Sequence, residues 1–168
     1  MINTLTDHEI KVIGFDADDT LWENEDLFFN SLKEIKNILK QDSNNFDKEF
    51  LKTEKLNLDI YGYGIKGFIL SLIETSAKIS HKELNKRNII KIIKLGKKML
   101  KSPVNLIEGV EKTLGTLSKK YELILITKGD LLDQERKIKK SRLEKYFKHR
   151  NIVSEKNKKT YLNILDDL

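Results

Sequence analysis

The chain has 168 residues, no cysteine and a formal net charge of +6. This length allows one domain of ordinary core size or one domain with an insertion, and the lack of cysteine excludes a disulfide-stabilised fold. Neither a run of about 18 apolar residues nor a signal peptide is present, so we expect a cytoplasmic protein with no membrane partner.

The positive charge is concentrated in the second half of the chain. Residues 1–85 carry 10 basic and 16 acidic side chains, whereas residues 86–168 carry 22 basic and 10 acidic ones. A basic half can attract nucleic acid or a small anion. Most of these lysines lie on the polar faces of predicted helices, without interleaved aromatic residues. The pattern therefore favours a solvated surface over nucleic-acid binding.

The predicted elements begin with a short, apolar and β-branched strand at residues 10–15. Four helical stretches follow, and neither a strand nor a proline interrupts them between residues 23 and 100. Pro103, the only proline, marks the exit from this block. We therefore expect a core domain of residues 1–22 and 101–168. Residues 23–100 are inserted into it as an all-helical unit with its own small core.

The rest of the chain alternates between helix and strand. It predicts, in order, a helix near residues 110–117, a strand at 121–126, a helix at 131–140, a strand at 151–154 and a helix at about 158–165. Asp130 is the expected N-cap of the second of these helices. Alternation of this kind predicts an α/β fold with a parallel sheet and right-handed crossovers.

Two carboxylates, Asp16 and Asp18, follow the first strand directly. Acids at the end of a buried strand lie at the carboxyl edge of the sheet, where open α/β folds bind their ligands. Their burial costs several kcal/mol unless the charge is offset, and a hard cation such as Mg²⁺ would offset it. One carboxylate can act as a covalent nucleophile and the other as general acid and base. The alternative is an acidic loop that only caps the following helix.

The string at residues 15–22 resembles the first motif of the haloacid dehalogenase-like (HAD) hydrolase superfamily. The resemblance implies that Asp16 is a nucleophile that becomes an aspartyl-phosphate. It implies that Asp18 acts as acid and then base, and that Thr20 supports the loop. Mg²⁺ would be held by a carboxylate oxygen of Asp16 and the backbone carbonyl of Asp18. Dehalogenases of the superfamily lack the second acid, so Asp18 favours phosphate chemistry over carbon–halogen chemistry.

Two later segments resemble the second and third motifs, in the family's order. The second implies that the hydroxyl of Thr127 and the backbone amide of Lys128 bind a phosphate oxygen, beside a helix N-terminus. The third implies that Lys156 neutralises the nucleophile and the phosphoryl group. Taken alone, a threonine before a helix is often only a cap. Lysines are also frequent here, and Lys158 and Lys159 remain alternatives to Lys156.

The helical insert resembles the C1-type cap of a phosphatase-like subgroup of this superfamily. Tyr61 and Tyr63, which alternate with glycines, are expected to contact the substrate; the alternative is simple packing between cap helices. The same stretch, residues 62–67, satisfies the dinucleotide pattern G-x-G-x-x-G. That fingerprint also needs a strand before it and a second strand ending in an acid, so nicotinamide or flavin binding is not favoured.

The fourth motif of the family, which places further acids after another strand, has no counterpart. Only 12 residues follow Lys156, and Asp166 and Asp167 lie at the end of a predicted helix. We therefore expect a chain truncated before this motif, with its last core strands missing. Weak metal binding would follow, because Mg²⁺ demands near-ideal octahedral geometry. An exposed sheet edge would favour self-association.

The sequence as a whole predicts a Rossmann-like parallel sheet core with an inserted helical cap. The predicted function is Mg²⁺-dependent hydrolysis of a small, soluble, phosphorylated metabolite through an aspartyl-phosphate, impaired in the 168-residue form. The alternative is a catalytically weak remnant of the family that acts as a binding or interaction protein. Nothing in the sequence identifies the substrate.

Overall fold

A computed structural model describes residues 10–40, 43–79 and 84–168. It divides into two compact units, one formed by the segment ending at Glu23 together with Val104–Leu168, the other by Asn24–Pro103. The boundaries lie beside the predicted ones at 22/23 and 100/101. The first nine residues of the predicted core domain lie outside the described residues.

The described residues form three strands and seven α-helices. In chain order these are β1 (Val12–Phe15), α1 (Glu25–Leu39), α2 (Ser43–Tyr61), α3 (Ile65–Ile79), α4 (Lys86–Lys101), α5 (Val110–Leu117), β2 (Glu122–Lys128), α6 (Leu131–Ser141), β3 (His149–Val153) and α7 (Lys158–Asp166). None of the helices in this described part of the chain is both long enough and apolar enough to cross a membrane.

The sheet is parallel, with the strand order β1-β2-β3. Phe15 of β1 lies opposite Leu125 of β2, and Thr127 of β2 lies opposite Ile152 of β3. The α/β class and the parallel sheet confirm the prediction. Strand β2 continues two residues past the predicted end at Ile126 and so includes Thr127. Among the described strands β1 forms one edge of the sheet, and self-association through that edge stays a prediction.

Strand β2 lies in the middle of the sheet because it can be buried on both faces. Its central residues alternate between two apolar clusters, as the two-residue period of a strand requires. Leu123 and Leu125 face the cluster that contains Trp22 and residues of α5 and α6. Ile124 and Ile126 face Ile164 of α7. This packing on both faces holds β2 in place, and its pairing with β3 extends the strand through Thr127.

The second unit consists of helices α1 to α4 around a separate apolar core. Its buried side chains are Ile35, Leu39, Phe46, Phe50, Ile65, Phe68, Leu72, Ile92, Leu95 and Met99. Helices α3 and α4 approach each other closely at Gly96, where an added Cβ would lie 2.7 Å from Cγ1 of Ile69. The unit therefore has its own apolar core. That it works as a cap stays a prediction.

Candidate functional site

The carboxyl ends of the three parallel strands bring three of the predicted site residues to one edge of the sheet. Asp16 directly follows β1, Thr127 is the penultimate residue of β2, and Lys156 lies three residues after β3. Because parallel strands run in the same direction, residues 16, 127 and 156 share this edge even though more than a hundred residues separate the first from the others.

Asp16 and Lys156 are in direct contact. The ammonium of Lys156 donates a hydrogen bond to Oδ1 of Asp16, and the backbone N–H of Ala17 donates to the same oxygen at 2.8 Å. The side chain of Asp16 is nevertheless 47% exposed, so the carboxylate is open to a ligand. The competing residues Lys158 and Lys159 are both exposed, in the first turn of α7.

The loop after Asp16 is a tight turn held by backbone hydrogen bonds. The N–H groups of Thr20 and Leu21 both donate to the carbonyl of Ala17, at 3.2 and 2.8 Å. Asp19 takes a left-handed conformation with φ +57°, which Asp tolerates better than most residues. Thr20 is exposed, and its backbone takes part in the turn. Whether its hydroxyl also supports the loop stays a prediction.

The carboxylate of Asp18 is held by three donor side chains. The indole Nε1 of Trp22 donates to Oδ1 at 2.7 Å, and Nε2 of Gln134 donates to Oδ2 at 2.8 Å. The ammonium of Lys137 lies 2.7 Å from each of the two oxygens. Both members of this ion pair are largely shielded, because the side chain of Lys137 is 16% exposed and that of Asp18 is 24% exposed.

Sequence reasoning did not assign these three residues to the site. Gln134 and Lys137 lie three positions apart, so they share one face of α6. The helix starts just after the Thr127 segment, with Asp130 as its N-cap, as predicted: Oδ1 of Asp130 accepts a hydrogen bond from the backbone N–H of Asp133 at 3.0 Å. Most positions of α6 are polar, so no signal in the sequence distinguishes Gln134 and Lys137 from their neighbours on the helix.

Thr127 and Lys128 lie in a crowded part of the same edge. Thr127 is only 1% exposed, and the ammonium of Lys128 lies 3.4 Å from Oε1 of Glu155. The chain then turns at Gly129 with φ +150°. An added Cβ at Gly129 would lie 3.0 Å from Nε2 of Gln134, so glycine leaves room for that side chain. Phosphate binding by the Thr127 hydroxyl and the Lys128 amide stays a prediction.

A second acid near Asp18 has a shifted pKa. Burial raises the pKa of Asp133 above its ordinary value, although the nearby cations Lys137 and Arg136 act in the opposite direction. Asp130 and Asp18 add to the upward shift, because a further negative charge in the cluster disfavours ionisation.

The oxygen atoms that Asp16 and Asp18 carry are of the kind that a magnesium ion, completed by water and phosphate, would accept. Asp16 offers a carboxylate and Asp18 a backbone carbonyl, and Mg²⁺ prefers hard oxygen ligands. Within residues 10–40, 43–79 and 84–168, no three His, Cys, Asp or Glu side chains come together to hold a metal ion. Mg²⁺ usually keeps several waters and takes one or two carboxylates plus substrate phosphates. Asp166 and Asp167 are exposed at the end of α7.

Tyr61 and Tyr63 belong to the second unit, at the turn between α2 and α3. Both are exposed, and their contact with a substrate stays a prediction. An added Cβ at Gly67 would lie 2.8 Å from the carbonyl oxygen of Gly62, so these glycines allow a tight turn between two helices. A helix precedes them where a dinucleotide fingerprint requires a strand, which excludes that reading of the pattern.

Comparison with known proteins agrees with this architecture. The family model described as haloacid dehalogenase-like hydrolase matches residues 10–166. A haloacid dehalogenase-like family hydrolase from Xanthomonas campestris is 38% identical, with a TM-score of 0.88. The match covers 94% of this chain and 67% of that one. No curated protein matches at a significant level.

More distant solved structures share the fold. The candidate HAD-hydrolase YfnB from Bacillus subtilis, in a magnesium-bound form, is 13% identical with a TM-score of 0.64, over 95% of this chain and 72% of that one. A protein from Haemophilus somnus, described as a predicted phosphoglycolate phosphatase, is 18% identical with a TM-score of 0.60, over 97% and 72%. Two dehalogenase structures, 16% and 12% identical to this chain, match with TM-scores of 0.61 and 0.59.

Proposed function

The chain belongs to the haloacid dehalogenase-like hydrolase family, and on that premise we propose that it hydrolyses small phosphate monoesters through an aspartyl-phosphate at Asp16. The observation that carries the proposal is the half-exposed carboxylate of Asp16, in contact with Lys156 and followed two residues later by Asp18. An accessible carboxylate beside a cation suits attack on an anionic phosphoryl group.

In the first half-reaction an oxygen of Asp16 forms a bond to phosphorus, and the bond from phosphorus to the ester oxygen breaks. Lys156 and the backbone N–H of Ala17 contact Oδ1, which leaves Oδ2 as the attacking atom. Asp18 enters this step in its protonated form, gives its proton to the departing alcohol and becomes a carboxylate. Lys156 offsets the negative charge that would otherwise keep the carboxylate and the phosphate apart.

In the second half-reaction Asp18 accepts a proton from a water molecule as that water attacks the phosphorus. The bond from phosphorus to Asp16 breaks, inorganic phosphate leaves, and both carboxyl groups return to their starting states. Asp16 and the carbonyl of Asp18 would hold Mg²⁺, which supplies charge neutralisation and orientation of the phosphoryl group.

A second candidate function is binding without turnover, in a catalytically weak member of the family. The burial of Thr127, at 1% exposure, favours this alternative, because a hydroxyl that binds phosphate must be reachable.

The presence of Asp18 supports phosphate over carbon–halogen chemistry, since a general acid assists departure of an alcohol and is not needed for a halide.

Product analysis distinguishes phosphate-ester hydrolysis from dehalogenation and from binding without turnover. The purified chain is incubated with Mg²⁺ and either a panel of phosphate monoesters or a panel of 2-haloacids, and released phosphate and halide are measured. The proposal expects phosphate only, and no phosphate from Asp16→Asn, because an amide is a far poorer nucleophile. Halide release, parent-like hydrolysis by Asp16→Asn, or binding of phosphate esters without any release would each overturn it.

A further inference from the structure

We propose that Lys137 and Gln134 are positioning residues that hold the side-chain carboxyl group of Asp18 where it gives a proton to the leaving group and later takes one from water. The inference rests on the proposed function and adds two side chains of α6 to its machinery. Lys137 lies 2.7 Å from both oxygens of Asp18, and Nε2 of Gln134 lies 2.8 Å from Oδ2. Both residues act through Asp18 rather than on the substrate.

The donors together fix the plane of the carboxylate. Lys137 bridges both oxygens, Gln134 holds Oδ2 from the same helix, and the indole of Trp22 holds Oδ1 from the loop itself. A carboxylate on an unrestrained side chain samples several rotamers. Contacts from two elements leave one orientation, and a proton donor misplaced by about 1 Å can lose about 10²-fold in rate.

The position of Gln134 favours an N–H group, and not the amide oxygen, as the contact with Asp18. Gln134 is 3% exposed, and among the described residues its Oε1 has no hydrogen-bond partner. A buried acceptor without a partner is unfavourable. Turning the amide over would place Oε1 against the carboxylate of Asp18, which is worse. Gly129 lies directly beside the amide nitrogen, where a Cβ would approach to 3.0 Å. The amide therefore presents its N–H group to Oδ2 of Asp18.

A purely structural ion pair would anchor the loop and affect all substrates equally. A positioning role for the general acid predicts a dependence on the leaving group, because an alcohol of high pKa needs a proton as it departs and a nitrophenol does not. The parameter kcat/KM reports phosphoryl transfer from the ester to Asp16, whereas kcat also includes breakdown of the phosphoenzyme, which is common to all esters.

The test compares glycerol phosphate with p-nitrophenyl phosphate in Lys137→Met, Lys137→Arg, Gln134→Met and the control Lys139→Met, which alters an exposed lysine of the same helix. Lys137→Met should lower kcat/KM for glycerol phosphate by about 10²-fold or more, and for p-nitrophenyl phosphate by at least about 10-fold less. Gln134→Met should show the same selectivity more weakly. Lys137→Arg should restore much of the loss, and Lys139→Met should match the parent.

Several outcomes overturn the inference. Equal losses on the two esters would assign Lys137 a structural role. A gain of activity in Lys137→Met would mean that the ion pair holds Asp18 in an unproductive position. Circular dichroism reports whether each variant is folded, and if Lys137→Met is not, Gln134→Met decides by the same selectivity. A parent chain inactive on both esters would refute the proposed function, whereas an active parent with unselective variants would refute this inference alone.

Discussion

Replacing Lys156 by methionine removes the ammonium that contacts Asp16 and keeps a side chain of similar length. The structure predicts that this change affects stability little and turnover strongly. The pair joins a lysine that is 23% exposed to an aspartate that is 47% exposed. At such partly solvated positions an ion pair contributes at most about 1 kcal/mol to the free energy of unfolding.

The expected loss of turnover is much larger than the loss of stability. In the proposed reaction the ammonium faces the carboxylate and the phosphoryl group as they approach. Removal of one such electrostatic contact costs about 10²–10³ in rate, or about 2.7–4 kcal/mol. We therefore expect Lys156→Met to lower kcat/KM for a phosphate monoester by about that factor, while urea denaturation shows a change in unfolding free energy of at most about 1 kcal/mol.

The matched controls are Lys158→Met and Lys159→Met, which alter the two competing lysines at the start of α7. Both side chains are exposed, so neither change should move activity or stability measurably. The reasoning is refuted if Lys158→Met or Lys159→Met loses as much activity as Lys156→Met. It is equally refuted if Lys156→Met keeps the parent kcat/KM.

Three further predictions concern the acid, the pH dependence and the packing of the helical unit. Asp18→Asn should slow steady-state hydrolysis of an alkyl phosphate by about 10²–10⁴, and a parent-like rate would remove Asp18 from the mechanism. Burial raises the pKa of Glu54 above its ordinary value of 4.5. The stability that this carboxyl contributes is therefore complete below that value and is lost as the pH rises through the raised pKa. Glu54→Gln should then raise the Tm relative to the parent at pH 7 but not at pH 4, and an equal difference at both values would contradict this. Gly96→Ala should destabilise the chain by about 1 kcal/mol, because its Cβ would lie 2.7 Å from Ile69. Gly115→Ala in α5, whose Cβ would meet Tyr146 at an ordinary 3.7 Å, should stabilise the chain by about 0.5–1 kcal/mol. Chemical denaturation measures the unfolding free energy of both variants, and equal changes would contradict the packing argument.

The sequence was sufficient for the parts of the site that are set by local pattern. The apolar run of β2 and the acids after β1 predicted the sheet edge, because strands and their ends are encoded in consecutive residues. The surroundings of Asp18 were not predictable in this way. Gln134 and Lys137 are 116 and 119 positions away from Asp18 in the sequence. Their contacts with Asp18 form only when α6 packs beside the loop. Both residues otherwise look like ordinary polar positions on an amphipathic helix.

The end of strand β2 was not predicted correctly, because it depends on pairing with another strand. Thr127 and Lys128 belong to β2, two residues beyond the predicted end, because pairing with Ile152 and Val153 of β3 extends the strand. Pairing between strands is not visible in the residues of either strand alone. The same extension places Thr127 inside the sheet at 1% exposure, where sequence alone would leave it in an open turn.

The central claim is that Asp16 carries the phosphoryl group during turnover. The most direct measurement is mass spectrometry of the chain after acid quench during hydrolysis of a phosphate monoester, with peptide mapping of any added phosphoryl group. With p-nitrophenyl phosphate, whose leaving group needs no proton, the account predicts a phosphorylated peptide that contains Asp16. The signal should be stronger in Asp18→Asn, where phosphoenzyme breakdown lacks its base, and absent from Asp16→Asn. Steady release of phosphate with no modified peptide, or modification that persists in Asp16→Asn, would contradict it.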